Sequence, residues 1–329
     1  MAIRIIIGDA LTELGSLPAE SVHCCVTSPP YYGLRDYGVV GQLGLEPSPD
    51  EYVAALVAVF GEVRRVLRRE GTLWLNMGDS YAGGGTIGRN DTGSADLARR
   101  AEKFGTGVGS GSAVGASGAR PRVSGLKTKD LIGIPWLVAF ALRADGWWLR
   151  QDIIWSKPNP MPESVTDRCT KAHEYLFLLS RSERYWFDAA AIAEDAINAG
   201  RIVEYDGSQK NCSVDPVMQR TRITSDRTVG HIRNKRSVWT VATVPFPEAH
   251  FATFPPGLIE PCIKAGCPEG GTVLDPFGGA GTTGLVADRL GRNAVLIELN
   301  PGYADMSRHR IEDDLPLFVD VSIMAEAAP

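Results

Sequence analysis

The stretch Thr272-Val273-Leu274-Asp275-Pro276-Phe277-Gly278-Gly279-Ala280-Gly281-Thr282-Thr283-Gly284 reads as a strand, a glycine loop and the start of a helix. Glycines let a ligand approach the backbone and permit dihedrals closed to other residues. The helix start then offers N–H groups and the positive end of its dipole. Gly279, Gly281 and Gly284 satisfy G-x-G-x-x-G, and Glu298 follows Gly279 by 19 residues, near the distance of a ribose-binding acid. A nicotinamide dehydrogenase is therefore one reading. A P-loop is excluded, because no Lys follows the glycines.

Position argues against the dehydrogenase. Only 31 residues follow Glu298, too few to complete a doubly wound sheet. The missing strands must come from the amino-terminal part, including one ending at Asp9 and one ending at Ser28. Asp-Pro-Phe between strand and glycines is also foreign to the dinucleotide fingerprint.

The second of those strands delivers Thr27-Ser28-Pro29-Pro30-Tyr31-Tyr32. Two prolines end any strand ladder, since neither has an N–H to donate. Their carbonyls remain acceptors, and Ser28 adds a hydroxyl. Tyr31 supplies a flat face beside them. Acceptors next to an aromatic plate suit a planar group carrying an NH₂, such as a nucleobase; the bland alternative is a Pro-Pro turn. Glycine loop and corner would share the carboxyl edge of one sheet, where such folds bind ligands.

Periodicity predicts strands over 3–7, 22–27, 72–76, 147–155, 174–180, 272–274 and 294–297, with helices over 10–17, 135–144, 258–264 and 284–290. A further helix starts at Ser48-Pro49-Asp50-Glu51, carries Tyr52, Leu56, Val59, Val63, Val66 and Leu67 at helical spacing, and ends at Gly71. Tyr185-Trp186-Phe187 reads as core, and the tail beyond Asp314 as dispensable. Residues 83–126 are rich in Gly, Ser, Ala, Thr and Arg, and read either as a surface loop or as a lid using Arg89, Arg99, Arg100, Arg120 and Arg122. Residues 191–238 lose periodicity and turn basic, with Arg220, Arg222, Arg227, Arg233, Lys235 and Arg236. Such a run is a solvated loop or a phosphate-contacting surface.

The totals exclude other classes. The 329 residues are 44% hydrophobic and 22% charged, ordinary for a soluble globular protein. No apolar run approaches the roughly 20 residues of a membrane span, and no signal peptide precedes the first strand. Six cysteines lack a framework spacing or a C-x-x-C pair, which suggests reduced thiols, a cytoplasmic location and no metal site. A net charge of −5 excludes a basic coat but not a local basic cleft.

Together these motifs resemble the DNA amino-methyltransferases of the β arrangement, the circularly permuted order with the catalytic motif first. The resemblance runs through Gly8-Asp9, Thr27 to Tyr32, Trp155-Ser156-Lys157-Pro158-Asn159-Pro160, Phe254-Pro255-Pro256, Asp275 to Thr283 and Ile297-Glu298-Leu299-Asn300. It implies an α/β fold: a mostly parallel, seven-stranded Rossmann-like sheet with one antiparallel strand and an inserted target-recognition region. The core would occupy 1–82, 127–190 and 239–314, with the Gly-rich insertion at 83–126, target recognition at 191–238 and a tail at 315–329. S-adenosyl-L-methionine would be the methyl donor. Asp275, Phe277, Gly279, Gly281, Thr282 and Thr283 would line its methionine side, with Phe254 closing that end. Glu298 would take the ribose hydroxyls, and Asp9, beside Ala10, the adenine amine. Ser28, Pro29, Pro30 and Tyr31 would be catalytic, acting on a base flipped from double-stranded DNA. Lys157, Arg220, Arg222, Arg233, Lys235 and Arg236 would contact DNA. Ser at the first motif position favours cytosine N4 over adenine N6. A homodimer and a cognate restriction endonuclease are open as partners. A non-catalytic DNA-binding module is the remaining alternative, against which the intact motifs count. Pro261-Cys262 lies in the wrong order for a carbon-5 cytosine nucleophile and reads as core.

Overall fold

The computed structural model describes residues 1–34, 36–83, 125–197, 202–203, 227–228, 231–244, 253–314 and 320–325. Thirteen strands occur among them: β1 (Ala2–Ile7), β2 (Val22–Thr27), β3 (Leu67–Met77), β4 (Trp148–Ser156), β5 (His173–Ser180), β6 (Glu194–Asp195), β7 (Ile202–Val203), β8 (Arg227–Thr228), β9 (Ile232–Arg233), β10 (Val238–Thr240), β11 (Thr272–Asp275), β12 (Asn293–Glu298) and β13 (Asp320–Ala325). The helices are α1 (Ala10–Ser16), α2 (Pro49–Val66), α3 (Ile134–Ala144), α4 (Pro256–Gly266), α5 (Thr282–Arg289) and α6 (Pro301–Asp314).

The main sheet is nine-stranded, in the order β10-β4-β5-β3-β2-β11-β12-β1-β13. Its inner seven strands are the expected set, and β5 is antiparallel to both neighbours while the other pairings are parallel. The count of seven is corrected by one added strand at each edge. The tail beyond Asp314, expected to be dispensable, contributes a strand, β13, to the sheet. It runs parallel along β1, and Val321 and Ile323 turn toward the core while Asp320, Ser322 and Met324 do not. That alternation covers an edge whose N–H and C=O groups would otherwise be unpaired.

Strand residues alternate between two cores, as period-two geometry requires. On β2, Cys25 joins α1, α2 and α3, whereas Cys24 and Val26 join α4, α5 and α6; Val22 joins the first group out of phase, across a register shift between Val22 and Cys24. On β12, Val295 and Ile297 face the first group and Ala294 and Leu296 the second. Both faces are covered, so these strands read as continuous apolar runs. Ser48 caps α2 by accepting from the Glu51 N–H, Pro49 opens it, and its buried stripe is Tyr52, Leu56, Val59, Phe60, Val63 and Val66. The helix stops at Val66 rather than at Gly71, which lies inside the long strand β3. A Cβ at Gly71 would sit 2.9 Å from the Arg68 carbonyl, so the glycine serves this irregular strand start. Cys262 is fully buried in α4.

Tyr185-Trp186-Phe187 is not core. Trp186 and Phe187 remain 36% and 38% exposed, and Phe187 caps the buried Trp74 from outside, with ring centroids 6.2 Å apart. Between β5 and β10 the described chain forms two short antiparallel ladders, β6 with β9 and β7 with β8. No described helix is long and apolar enough to cross a membrane.

Candidate active site

Eight parallel strands end on one edge of the sheet, and antiparallel β5 begins there. That edge therefore gathers Gly8-Asp9 after β1, Ser28 after β2, Gly78-Asp79 after β3, Lys157 after β4, Asp275 at the end of β11 and Glu298 at the end of β12. It also gathers Glu174 from the start of β5, opposite Trp155.

Asp275 ties its two halves together. It is 1% exposed; its Oδ1 accepts from the Thr27 hydroxyl at 2.6 Å and the Phe277 N–H at 3.1 Å, and its Oδ2 from the Thr283 hydroxyl at 2.6 Å. Burial outweighs these three donors and pushes its carboxyl up to about 7. Thr283 also reaches the Val26 carbonyl at 3.3 Å. The carboxylate thus bridges the strand that leads to Ser28 and the glycine loop.

Gly281 precedes α5 at φ +72°, and a Cβ there would lie 2.1 Å from Ser307 Oγ. Gly279 has φ +50°, and its N–H donates to Glu298 Oε2 at 2.7 Å. The other Glu298 oxygen accepts from the Asn300 N–H at 2.9 Å. Burial raises the Glu298 carboxyl from its ordinary value despite these backbone donors. Each oxygen keeps further lone-pair capacity for a diol. Gly284 packs close to α6 and β12: its Cβ would meet Ile311 at 2.9 Å and Leu296 at 3.0 Å. Thr282 is buried, and its hydroxyl accepts from Arg310 at 2.9 Å. Phe277 is half-buried against the first core and Phe254 against the second. Asp9 is exposed at the N-cap of α1, where its Oδ1 takes the Thr12 N–H and hydroxyl, and Ala10 is buried behind it. The Gly8 N–H donates to the Glu298 carbonyl at 3.1 Å, which sets Asp9 beside Glu298.

At the corner the Pro30 carbonyl is taken by the Tyr52 hydroxyl at 2.7 Å. No described residue donates to the Pro29 carbonyl. Tyr32 is buried and packs on Tyr52, centroids 5.5 Å apart. Tyr31 is half-buried, and its ring fills the place a side chain at Gly78 would need: a Cβ there would be 2.5 Å from Tyr31 Cε2. The Tyr31 hydroxyl donates to Glu174 Oε2 at 2.7 Å, with Asn76 Oδ1 at 3.2 Å as a second acceptor, and Ser28 Oγ donates to it at 3.4 Å. Burial, then the Glu174 charge, pushes the Tyr31 phenol well up. Asn76 Nδ2 donates to Glu174 Oε2 at 3.2 Å and to the Tyr175 carbonyl at 3.1 Å.

Lys157, expected at DNA, lies in this network. Its ammonium meets Glu174 Oε1 at 2.5 Å and sits 4.2 Å over the Trp155 ring. Arg233 and Arg236 share Glu194, at 3.4 and 2.7 Å, and Lys235 lies 5.1 Å over Trp239. Arg220, Arg222 and the expected lid arginines of 83–126 lie outside the described residues. Sequence reasoning missed Glu174, Asn76 and Lys171. Lys171 donates to the Asp79 carbonyl at 3.2 Å, and burial lowers its ammonium from the usual lysine range.

A glycine loop and an acceptor-rich corner are thus joined on one edge of a mostly parallel sheet. A family model described as DNA methylase matches residues 22–309. The type II methyltransferase M.XycI of Xanthomonas campestris pv. cyanopsidis is 46% identical over 306 residues, 93% of this chain and 86% of its own length. Two solved structures share the fold. The cytosine-N4-specific PvuII DNA methyltransferase has TM-score 0.60 at 19% identity, covering 94% of this chain and 87% of its own. A Thermus thermophilus protein solved in complex with S-adenosyl-L-methionine has TM-score 0.59 at 22% identity, covering 99% of this chain and 100% of its own. The chain belongs to the N6/N4 type of the DNA methylase family.

Proposed function

We propose that this DNA methyltransferase transfers a methyl group from S-adenosylmethionine to the exocyclic amine of a base flipped from double-stranded DNA, with cytosine N4 as the target. The observation that carries this is the corner itself: the Ser28 hydroxyl and the Pro29 carbonyl, one strand away from the glycine loop and hydrogen-bonded to it through Thr27 and Asp275.

The residues suit the cofactor. Gly279 and Gly281 take positive φ, +50° and +72°, as the loop's turn into α5 requires, and the first N–H groups of α5 have no intrahelical partner. Glu298 has acceptors left for a ribose diol, and the Asp9 Oδ2 stays available for an adenine amine. Asp275 has its oxygens engaged by the protein, so it holds the loop rather than the ligand. S-adenosylmethionine, when bound, supplies an electrophilic methyl on a sulfonium.

The chain's own residues prepare the amine. Its lone pair is delocalised into the ring and is a poor nucleophile. Ser28 and the Pro29 carbonyl accept its two hydrogens, favour a pyramidal nitrogen and free the lone pair. Tyr31 lines the pocket as the plate on which the base rests, offsetting part of the unstacking cost. Arg233, Lys235 and Arg236 lie in the target-recognition region and contact phosphates.

Ser at the first motif position, and an N4-specific fold neighbour, favour N4-methylcytosine over N6-methyladenine. Mass spectrometry of nucleosides from DNA treated with protein and methyl donor tests this. N4-methylcytosine is the expected product; N6-methyladenine alone would reverse the base while leaving the amine chemistry intact.

A further inference from the structure

The corner holds a carboxylate that the chemistry above does not use. Tyr31 has one hydroxyl proton, and its nearest acceptor is Glu174 Oε2 at 2.7 Å, a charge-assisted bond. The next acceptor is Asn76 Oδ1 at 3.2 Å. With its proton committed there, the Tyr31 oxygen can only accept from Ser28. The Ser28 proton then points at Tyr31, 3.4 Å away, and is withdrawn from the substrate side. Lys157 supplies the counter-charge that a carboxylate 16% exposed requires, and Asn76 Nδ2 donates to the same oxygen that Tyr31 uses.

We propose that Glu174 is a positioning residue: by taking the Tyr31 proton it fixes the hydrogen-bond direction of Tyr31 and Ser28, and so presents the Ser28 lone pairs to the target amine. A Ser28 hydroxyl turned the other way would meet the amine donor to donor. This inference rests on the methyltransferase reading of Ser28 given above. It also accounts for a tyrosine, not merely an aromatic ring, at position 31. The polar groups facing Glu174 are Tyr31 from the corner, Asn76 from β3, Lys157 after β4 and Lys171 from the segment before β5.

Glu174→Gln is the test. The single amide oxygen goes to Lys157, the stronger donor, which leaves the amide nitrogen to donate to Tyr31. Tritiated S-adenosylmethionine and plasmid DNA from a methylation-deficient host report kcat and KM, and calorimetry reports cofactor affinity. Expected is a kcat loss of about tenfold or more, with DNA KM and cofactor affinity held within about twofold. Tyr31→Phe keeps the plate and should lose a similar factor. The double variant should lose no more than Tyr31→Phe alone, because Glu174 acts through Tyr31. A Glu174→Gln kcat within about twofold of wild type overturns the inference, as do losses that multiply in the double variant. If Glu174→Gln does not fold, Tyr31→Phe decides, and a wild-type kcat there overturns it. A wild type that transfers no methyl overturns the parent reading, and this one with it; an active wild type with indifferent variants overturns only this one.

Discussion

Replacing Asp275 by Asn should flatten the dependence of stability on pH. The folded protein holds this carboxyl at about 7, against an ordinary value of 3.8, because burial dominates. Between those values the native state binds a proton that the unfolded chain has released. Stability therefore falls as pH rises through that window and levels off above about 7. A tenfold difference in proton affinity is worth about 1.4 kcal/mol, so the wild type should lose roughly 3 kcal/mol from this group between about pH 5 and pH 8. Asn keeps the shape. Its oxygen can still accept from Thr27 and the Phe277 N–H, and its amide can donate to Thr283, whose hydroxyl turns to the Val26 carbonyl 3.3 Å away. Urea unfolding of both proteins at several pH values across that range is the assay. The difference between them cancels the other titrating groups. A difference constant to within about half a kcal/mol would refute the reasoning, since Asp275 would then be ionised in the native state throughout.

Gly281→Ala should destabilise the protein and weaken cofactor binding together. A Cβ would lie 2.1 Å from Ser307 Oγ at a φ of +72°, so α6 must shift as well as the backbone strain; the loss is on the order of 2–3 kcal/mol, read by urea unfolding and by calorimetry with S-adenosylmethionine. The triple change of Arg233, Lys235 and Arg236 to Ala should lower DNA affinity and flatten its dependence on log salt, because fewer counterions are released; titrations of labelled duplex between about 50 and 200 mM salt read the slope. An unchanged slope would move the phosphate contacts elsewhere.

What the sequence made legible follows from local chemistry. Thr272 to Gly284 announced strand, loop and helix, because glycines at positive φ and the end of an apolar run both leave marks within a few residues. Ser28-Pro29-Pro30 announced a strand end for the same reason. The permuted order was legible because too little chain follows Glu298 to build the rest of a sheet. Glu174 was not legible. It opens an antiparallel strand, so it reaches the site from the start of its element, while every other member of the edge lies at an end. Nothing local marks it, since only its pairing opposite Trp155 brings it near Lys157. The resemblance assigned Lys157 to DNA; its ion pair with Glu174 was not legible, because that partner is 17 residues away on the neighbouring strand. β13 was missed because its alternation is short and follows a helix with little apolar character.

The same pairings decide when the site can exist. Thr27 and Asp275 are 248 residues apart, and the bond between them forms only once β11 lies between β2 and β12. Glu298 and Gly8 meet only through the pairing of β12 with β1. The corner after β2 is therefore anchored by the glycine loop, and the glycine loop by the strand carrying the corner. A change that loosens Asp275 acts on both halves at once, although Asp275 is nearly closed to solvent and need touch neither ligand. Damage confined to Tyr31, Glu174 or Lys157 lies across β2 from the glycine loop, and should leave cofactor binding whole while transfer fails. Binding and turnover thus separate on one side of β2 and fall together on the other.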